Sequence, residues 1–219
     1  MARLVIFGTG DIARLAHVYF SRDSDHEVAG FTVDRDYRKE DSFQGLPLVD
    51  FETVTARFPP DAYQMFVALS YAQMNRLRAA KYEAAKALGY TLASYVSSRC
   101  SWLTDHPVGD NCFILEDNTV QPFVRIGSNV TLWSGNHIGH DSTIDDHCFI
   151  SSHVVVSGHV TVGSYCFIGV NATLRNSIRI APHTLIGAGA IIMKDTAEKG
   201  VYIPPRTERF AKDSDSIKL

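Results

Sequence analysis

No stretch of the 219-residue chain approaches about 18 consecutive apolar residues, which excludes a membrane-spanning helix. Basic charge is not in excess either. Lys and Arg number 21 against 24 Asp and Glu, a net charge of −3, so there is no electrostatic footprint for nucleic acid and none for insertion at an anionic membrane. Cysteine is scarce, four in all. Cys112, Cys148 and Cys166 have no C-x-x-C spacing and Cys100 stands alone, so no disulfide framework is expected. The start, MARLVIFGTGDIA, meets glycine within eight residues and reads as a buried strand and turn rather than a secretion signal, which predicts a cytoplasmic protein. What is present is ordinary for a globular chain: 45% hydrophobic and 21% charged residues, enough for one or two cores.

The first half alternates strand and helix patterns. The apolar run RLVIFG ends in glycine, and a helical pattern follows from Ile12 to Phe20. EVAGFTVD reads as a strand ending at Asp34, and YQMFVALS as another ending near Ser70. Residues 74–88 are rich in Ala, Leu, Lys and Arg and stop at Gly89, and Thr91 to Val96 reads as a further strand. Strands alternating with helices predict a parallel sheet of the Rossmann kind, about half of a dinucleotide-binding fold. Gly8-Thr9-Gly10 closes the first strand and opens a helix, where a phosphate can approach backbone N–H groups. The third glycine of that fingerprint is Ala13, and Asp34 stands where an acid could bind a ribose or base. The plainer reading of both features is a tight strand–helix turn and a solvated acid.

The second half carries the strongest signal. From Val108 to Ile192 every sixth residue is Leu, Ile or Val, fifteen in succession without an insertion. Glycine follows the anchor at 109, 127, 139, 163, 169 and 187, and small residues such as Cys112, Ser142, Cys148, Cys166, Ala172 and Ala190 recur two places before it. A six-residue period with an aliphatic anchor and small inward partners is a hexapeptide β-helix, three hexapeptides to a triangular coil, hence five coils. The pattern resembles the left-handed β-helix acyltransferase superfamily. That resemblance implies a homotrimer with active sites between subunits. The three cysteines on the small inward position read as core filler, which argues against an acyl-enzyme.

Five histidines fall between residues 137 and 159: His137, His140, His147, His153 and His159. Residues 18 apart stack one rung apart, about 4.8 Å. His140 then lies over Gly158 and Asp141 over His159, while His147, His153 and His159 fall on three different faces and cannot share one metal within a chain. A single coil-surface histidine is more often packed or solvated than functional. Context singles out His140, because Asp141 beside it can hold one ring nitrogen as N–H and leave the other to accept a proton. Gly158 offers an uncrowded N–H for an oxygen that gains negative charge.

A Rossmann-like domain followed by hexapeptide coils resembles the nucleotide-sugar N-acetyltransferases of the NeuD/PglD-like group. In this family a histidine of an Ile-x-His-Glu/Asp motif deprotonates the sugar amine and the acid orients it. The matching residues here are Ile138-Gly139-His140-Asp141. The resemblance implies acetyl-CoA as cosubstrate, with Gly158 meeting the acetyl oxygen, Phe167-Ile168-Gly169-Val170-Asn171 lining the pantetheine, and Gly187-Ala188-Gly189-Ala190 near the cofactor. It implies that Gly8, Thr9, Gly10, Asp34 and Arg35 hold the nucleotide-linked amino sugar. Phe149 takes the place of a family histidine near the cofactor and Trp133 that of an asparagine near the acceptor. This aromatic pair could stack on a sugar face or widen an acyl pocket, and packing between subunits is an equal alternative.

The domains implied are 1–96 for the nucleotide sugar, 97–205 for acyl transfer and a tail of 206–219. The segment Val201 to Arg206 resembles one that lies near the CoA adenine, and Lys194, Lys199 and Arg206 could pair with CoA phosphates. The activity implied is sugar N-acylation in bacterial surface-polysaccharide or glycan biosynthesis. Sugar O-acylation uses the same base. No metal is expected, but the histidines leave open a zinc enzyme like the gamma-type carbonic anhydrases, and a non-catalytic nucleotide sensor on a trimeric scaffold is a third class.

Overall fold

The structure, a computed structural model, describes residues 2–217. Its first part is a five-stranded sheet built from β1 (Ala2–Phe7), β2 (His26–Val33), β3 (Ser42–Phe43), β4 (Leu46–Asp50) and β5 (Gln64–Val67) in the order β3-β4-β2-β1-β5. All pairs are parallel except β3 with β4. Leu4–Phe7 and Met65–Val67 are buried, because the central strands of a parallel sheet are covered on both faces. Helix α1 (Asp11–Arg22) turns Ala13, Ala16 and Phe20 inward at helical spacing, and α2 (Val54–Arg57) and α3 (Arg76–Ala87) complete the crossovers. The β3–β4 hairpin lies outside the expected strands. Its signal is Gln44-Gly45, both with positive φ (51° and 76°), the conformation of a tight hairpin turn.

The strand expected over Thr91–Val96 divides in two. Leu92 bridges Met65 of the sheet, whereas Tyr95–Val96 pairs with Phe113–Ile114 and is the first rung of the coils. From there the chain winds as a left-handed parallel β-helix of two-residue strands, with partners 18 residues apart, as in Thr131↔Phe149 and His137↔Val155. The anchors from Ile114 to Ile186 are all buried in one core. The ladder begins two steps above the predicted Val108, at Val96 and Trp102, and the indole broke the aliphatic pattern there. Val201–Tyr202 closes the lower end by pairing with Leu185–Ile186.

The corners explain many of the histidines. A left-handed residue recurs every sixth position, among them Asn111, Asp117, Asn129, Asp141, His147, His153, His159, Asn171 and His183, all with φ between 53° and 63°. Asn, Asp and His tolerate that region best among residues with a Cβ.

The two parts share a seam. Tyr95 and Phe113 belong to one cluster with Phe20, Phe31 and Phe66. Arg78 of α3 is fully buried against the coil. Its guanidinium donates to Thr131 Oγ1 (3.0 Å) and to the carbonyls of Asn129 (3.1 Å), His147 (3.4 Å) and Cys148 (3.0 Å). Asn75 adds a bond to the Cys166 carbonyl at 3.1 Å.

Candidate active site

His140 follows the strand His137–Ile138 and Asp141 takes the corner, φ 57°. Neighbours on an extended strand point apart, but the left-handed residue swings the carboxylate back, so His140 Nδ1 and Asp141 Oδ2 lie 2.9 Å apart. The backbone fixes the pair on both sides. The His140 N–H donates to Gln121 Oε1 (2.9 Å), and its carbonyl accepts from the His159 N–H (2.9 Å). One rung on, Gly158 lies under the imidazole, where a Cβ would come within 2.6 Å of Nε2. Gly139 is equally required, since a Cβ there would come 2.6 Å from the Gly158 nitrogen. The Gly158 N–H donates to no acceptor among the described residues. The His140 and Asp141 side chains are 52% and 42% exposed, so the pair is open to solvent.

The predicted stacking of Asp141 on His159 is also present, with His159 Nε2 3.9 Å from Asp141 Oδ2 and the two imidazoles edge to face at 5.0 Å. The remaining histidines disperse. His147 is buried beside Tyr165 with Asn129 Nδ2 2.9 Å from its Nδ1, and burial pulls its pKa down. His153 lies over Gly135 on another corner, and His137 is paired alongside Val155.

The residues expected at the cofactor fall into two groups. Val170 (43% exposed) and Ala188 project outward from one corner, with Gly169 and Gly187 behind them. A Cβ on Gly169 would come 2.5 Å from the Ala188 nitrogen, so close rung spacing alone requires glycine there. A cleft of 460 Å³ opens below this corner, between Gly189–Ile192 and Tyr202–Pro205. Phe149 departs from the expectation of a cofactor contact. It is 2% exposed, enclosed by Tyr71 (5.0 Å), Phe167 (5.8 Å) and the Arg78 guanidinium (5.7 Å), and so belongs to the seam. Trp133, 6.3 Å from Phe149, packs on the core of the first part.

The glycine turn lies where β1 separates β2 from β5, the switch point of the sheet. Gly8 has φ 121°, and a Cβ there would meet the Ala68 carbonyl at 2.9 Å, while Ala13, in place of the third glycine, is buried. Thr9 is half-buried and Gly10 caps α1 in open space. Asp34 is not a free acid. Lys81 of α3 reaches it at 2.5 Å and lies over the rings of Phe7 and Phe51, a cation at the crevice that no spacing announces. Arg35 is held by Asp50 at 3.3 Å and its N–H by Glu52.

Fold and site together define a Rossmann-like head on a left-handed hexapeptide coil, with a His–Asp pair on an open corner. Residues 123–158 match the bacterial transferase hexapeptide (six repeats) family. PerB from Caulobacter crescentus, solved with CoA and GDP-perosamine, superposes with a TM-score of 0.80 at 21% identity over 93% of this chain and 95% of that one. The acetyltransferase domain of PglB from Neisseria gonorrhoeae superposes at 0.79 and 20% identity over 93% and 97%. Among curated proteins, the acyl-[acyl-carrier-protein]–UDP-N-acetylglucosamine O-acyltransferase of Pseudomonas aeruginosa is 31% identical over 93 residues, 42% of this chain. The chain spans 36% of the length of that relative. No helix among the described residues is long and apolar enough to cross a membrane.

Proposed function

We propose that the chain transfers an acyl group, in the first instance acetyl from acetyl-CoA, to the amine of a nucleotide-linked sugar in bacterial glycan assembly in the cytoplasm. The observation that carries this reading is the imidazole held by Asp141 through Nδ1, with Nε2 free above a residue that has no side chain. Nε2 takes the proton as the amine attacks the thioester carbonyl. The Gly158 N–H meets the oxygen that gains charge, and the thiolate of CoA leaves with the proton returned by His140. Direct attack fits the cysteines. Cys112, Cys148 and Cys166 are all sealed in the core of the coil, out of reach of a thioester, and burial pushes the Cys100 thiol up to about 11.

Gly169, Val170, Gly187 and Ala188 would border the pantetheine, with the nucleotide end of CoA along the 189–205 cleft. Gly8, Thr9 and Gly10 would receive the diphosphate, and Asp34 with Lys81 and Arg35 would read the sugar nucleotide. The divisions 1–96, 97–205 and 206–219 follow these tasks, except that Tyr95–Val96 at the first boundary already forms a rung of the coils. His140 lies on the corner after the 137–138 strand and Val170 on the corner after the 167–168 strand, so one chain separates base and pantetheine by the width of a coil face. That separation supports a homotrimer in which neighbouring chains complete each site.

Replacement of His140 by Asn should lower kcat about 10²- to 10⁴-fold with the melting temperature unchanged. A near-native rate with acetyl-CoA and a UDP- or GDP-amino sugar would exclude His140 as the base. Thermal shift with UDP, GDP, dTDP and CMP, each with and without CoA, should single out one nucleotide, since ligands of the folded state raise its melting point by mass action. A hydroxyl acceptor is the second reading, supported by the O-acyltransferase relatives. Mild alkali separates the two: an ester product is cleaved and an amide survives.

A further inference from the structure

We propose that His140, Asp141 and His159 form a three-ligand Zn2+ site on the open corner of the coil, and that zinc bound there silences His140. One ligand atom from each residue lies within 4.8 Å of the other two. Asp141 Oδ2 is 2.9 Å from His140 Nδ1 and 3.9 Å from His159 Nε2. A tetrahedral zinc with bonds of about 2.0–2.1 Å holds adjacent ligand atoms about 3.3 Å apart, between those two separations. Closing the two carboxylate–imidazole pairs takes shifts of about half an ångström, and the two imidazole nitrogens, within 4.8 Å of each other, come together by at most about 1.5 Å, in three side chains that are free to turn, being 52%, 42% and 59% exposed.

The backbone beneath is already set. Asp141 and His159 both occupy left-handed corners, and the His159 N–H donates to the His140 carbonyl at 2.9 Å, which locks the two rungs together. The carboxylate is uncommitted to any cation. Among the described residues the ion-pair partners of Asp141 are these two imidazoles, with no Lys or Arg in contact. Two imidazoles and a carboxylate are the ligand set of a zinc centre that keeps its fourth position for water.

The consequence for catalysis rests on the reading of His140 as the base. A neutral imidazole carries one N–H. With Asp141 as acceptor that hydrogen is on Nδ1 and Nε2 is free. With zinc on Nδ1 the hydrogen moves to Nε2, the atom above Gly158, and no lone pair remains there to take the amine proton. Zinc thus inhibits without occupying the position of either substrate.

The test is calorimetric titration of the metal-stripped full chain with ZnCl2, paired with turnover at each zinc concentration. One zinc per chain is expected. His159→Asn and Asp141→Asn should each weaken binding tenfold or more, while His153→Asn, at an equivalent corner, leaves it unchanged. Asn is well tolerated at left-handed positions, so these variants keep the fold. The ratio of rates with and without zinc should return to one in His159→Asn. Absence of stoichiometric binding, or a native affinity in His159→Asn, overturns the site. Zinc bound through the three residues with turnover unchanged would leave the site standing and remove His140 as the base.

Discussion

A methyl group on Gly158 would lie 2.6 Å from Nε2 and 2.8 Å from Cε1 of His140, well inside van der Waals contact. The imidazole, being exposed, would yield before the coil did. Gly158→Ala should therefore cost about 10²-fold in kcat, the scale of an ångström's misplacement at a reacting atom, with little loss of stability. Steady-state rates beside a thermal melt check this, and a fully active alanine variant would mean that Nε2 works from some other rotamer. Asp141→Asn keeps the left-handed corner but removes the acceptor that holds Nδ1–H. A drop of about 10²- to 10⁴-fold in kcat is expected. An unchanged rate would show that the ring needs no partner. At this scale the sequence was legible where partners sit one residue or one rung apart: the pairs 140/141, 140/158 and 141/159 follow from adjacency and an 18-residue coil. It was not legible for Phe149 or Asp34, whose neighbours Tyr71, Arg78 and Lys81 come from elements far away along the chain.

Helix α3 binds the two parts of the molecule through one buried cation. Arg78 has no carboxylate partner among the described residues, and burial pulls its pKa down to about 10, so it remains charged at neutral pH. The carbonyls of Asn129 and His147 have no other donor among the described residues, so the guanidinium is what satisfies them. Arg78→Ala strands both. At about 1–3 kcal/mol for each buried group left unpaired, the expected loss is about 2–6 kcal/mol, read as a lower urea midpoint. A midpoint within error of the parent would show that water replaces the side chain. The coils themselves were readable from their period, because each anchor meets its own kind one coil below. The β3–β4 hairpin was not, because Pro47 and a short polar turn interrupt its alternation.

Across the whole molecule, acid should loosen the joint between head and coil. Asp23, just past α1, accepts from Tyr95 OH (2.6 Å), the Ser98 N–H (3.0 Å) and Ser97 Oγ (3.3 Å) at the start of the coils. These bonds, the Ser98 bond first, hold its carboxyl down at about 2. A depressed carboxylate contributes stability above its unfolded-state value and loses it as pH falls through the folded one. The melting temperature should therefore fall between pH 4 and pH 2 more steeply in the parent than in Asp23→Asn. Parallel slopes would show that the joint does not depend on this charge.

The chain by itself determined the coils, the alternating head, and the histidine–carboxylate pair. Each of these is a local period or a contact between near neighbours, and such contacts need no knowledge of the rest of the fold. Tertiary structure decided which groups were already spent. Packing α3 against both the sheet and the coil neutralised Asp34 and walled in Phe149. The same folding left a corner carboxylate between two imidazoles with no cation to quench it, because no Lys or Arg among the described residues pairs with it there.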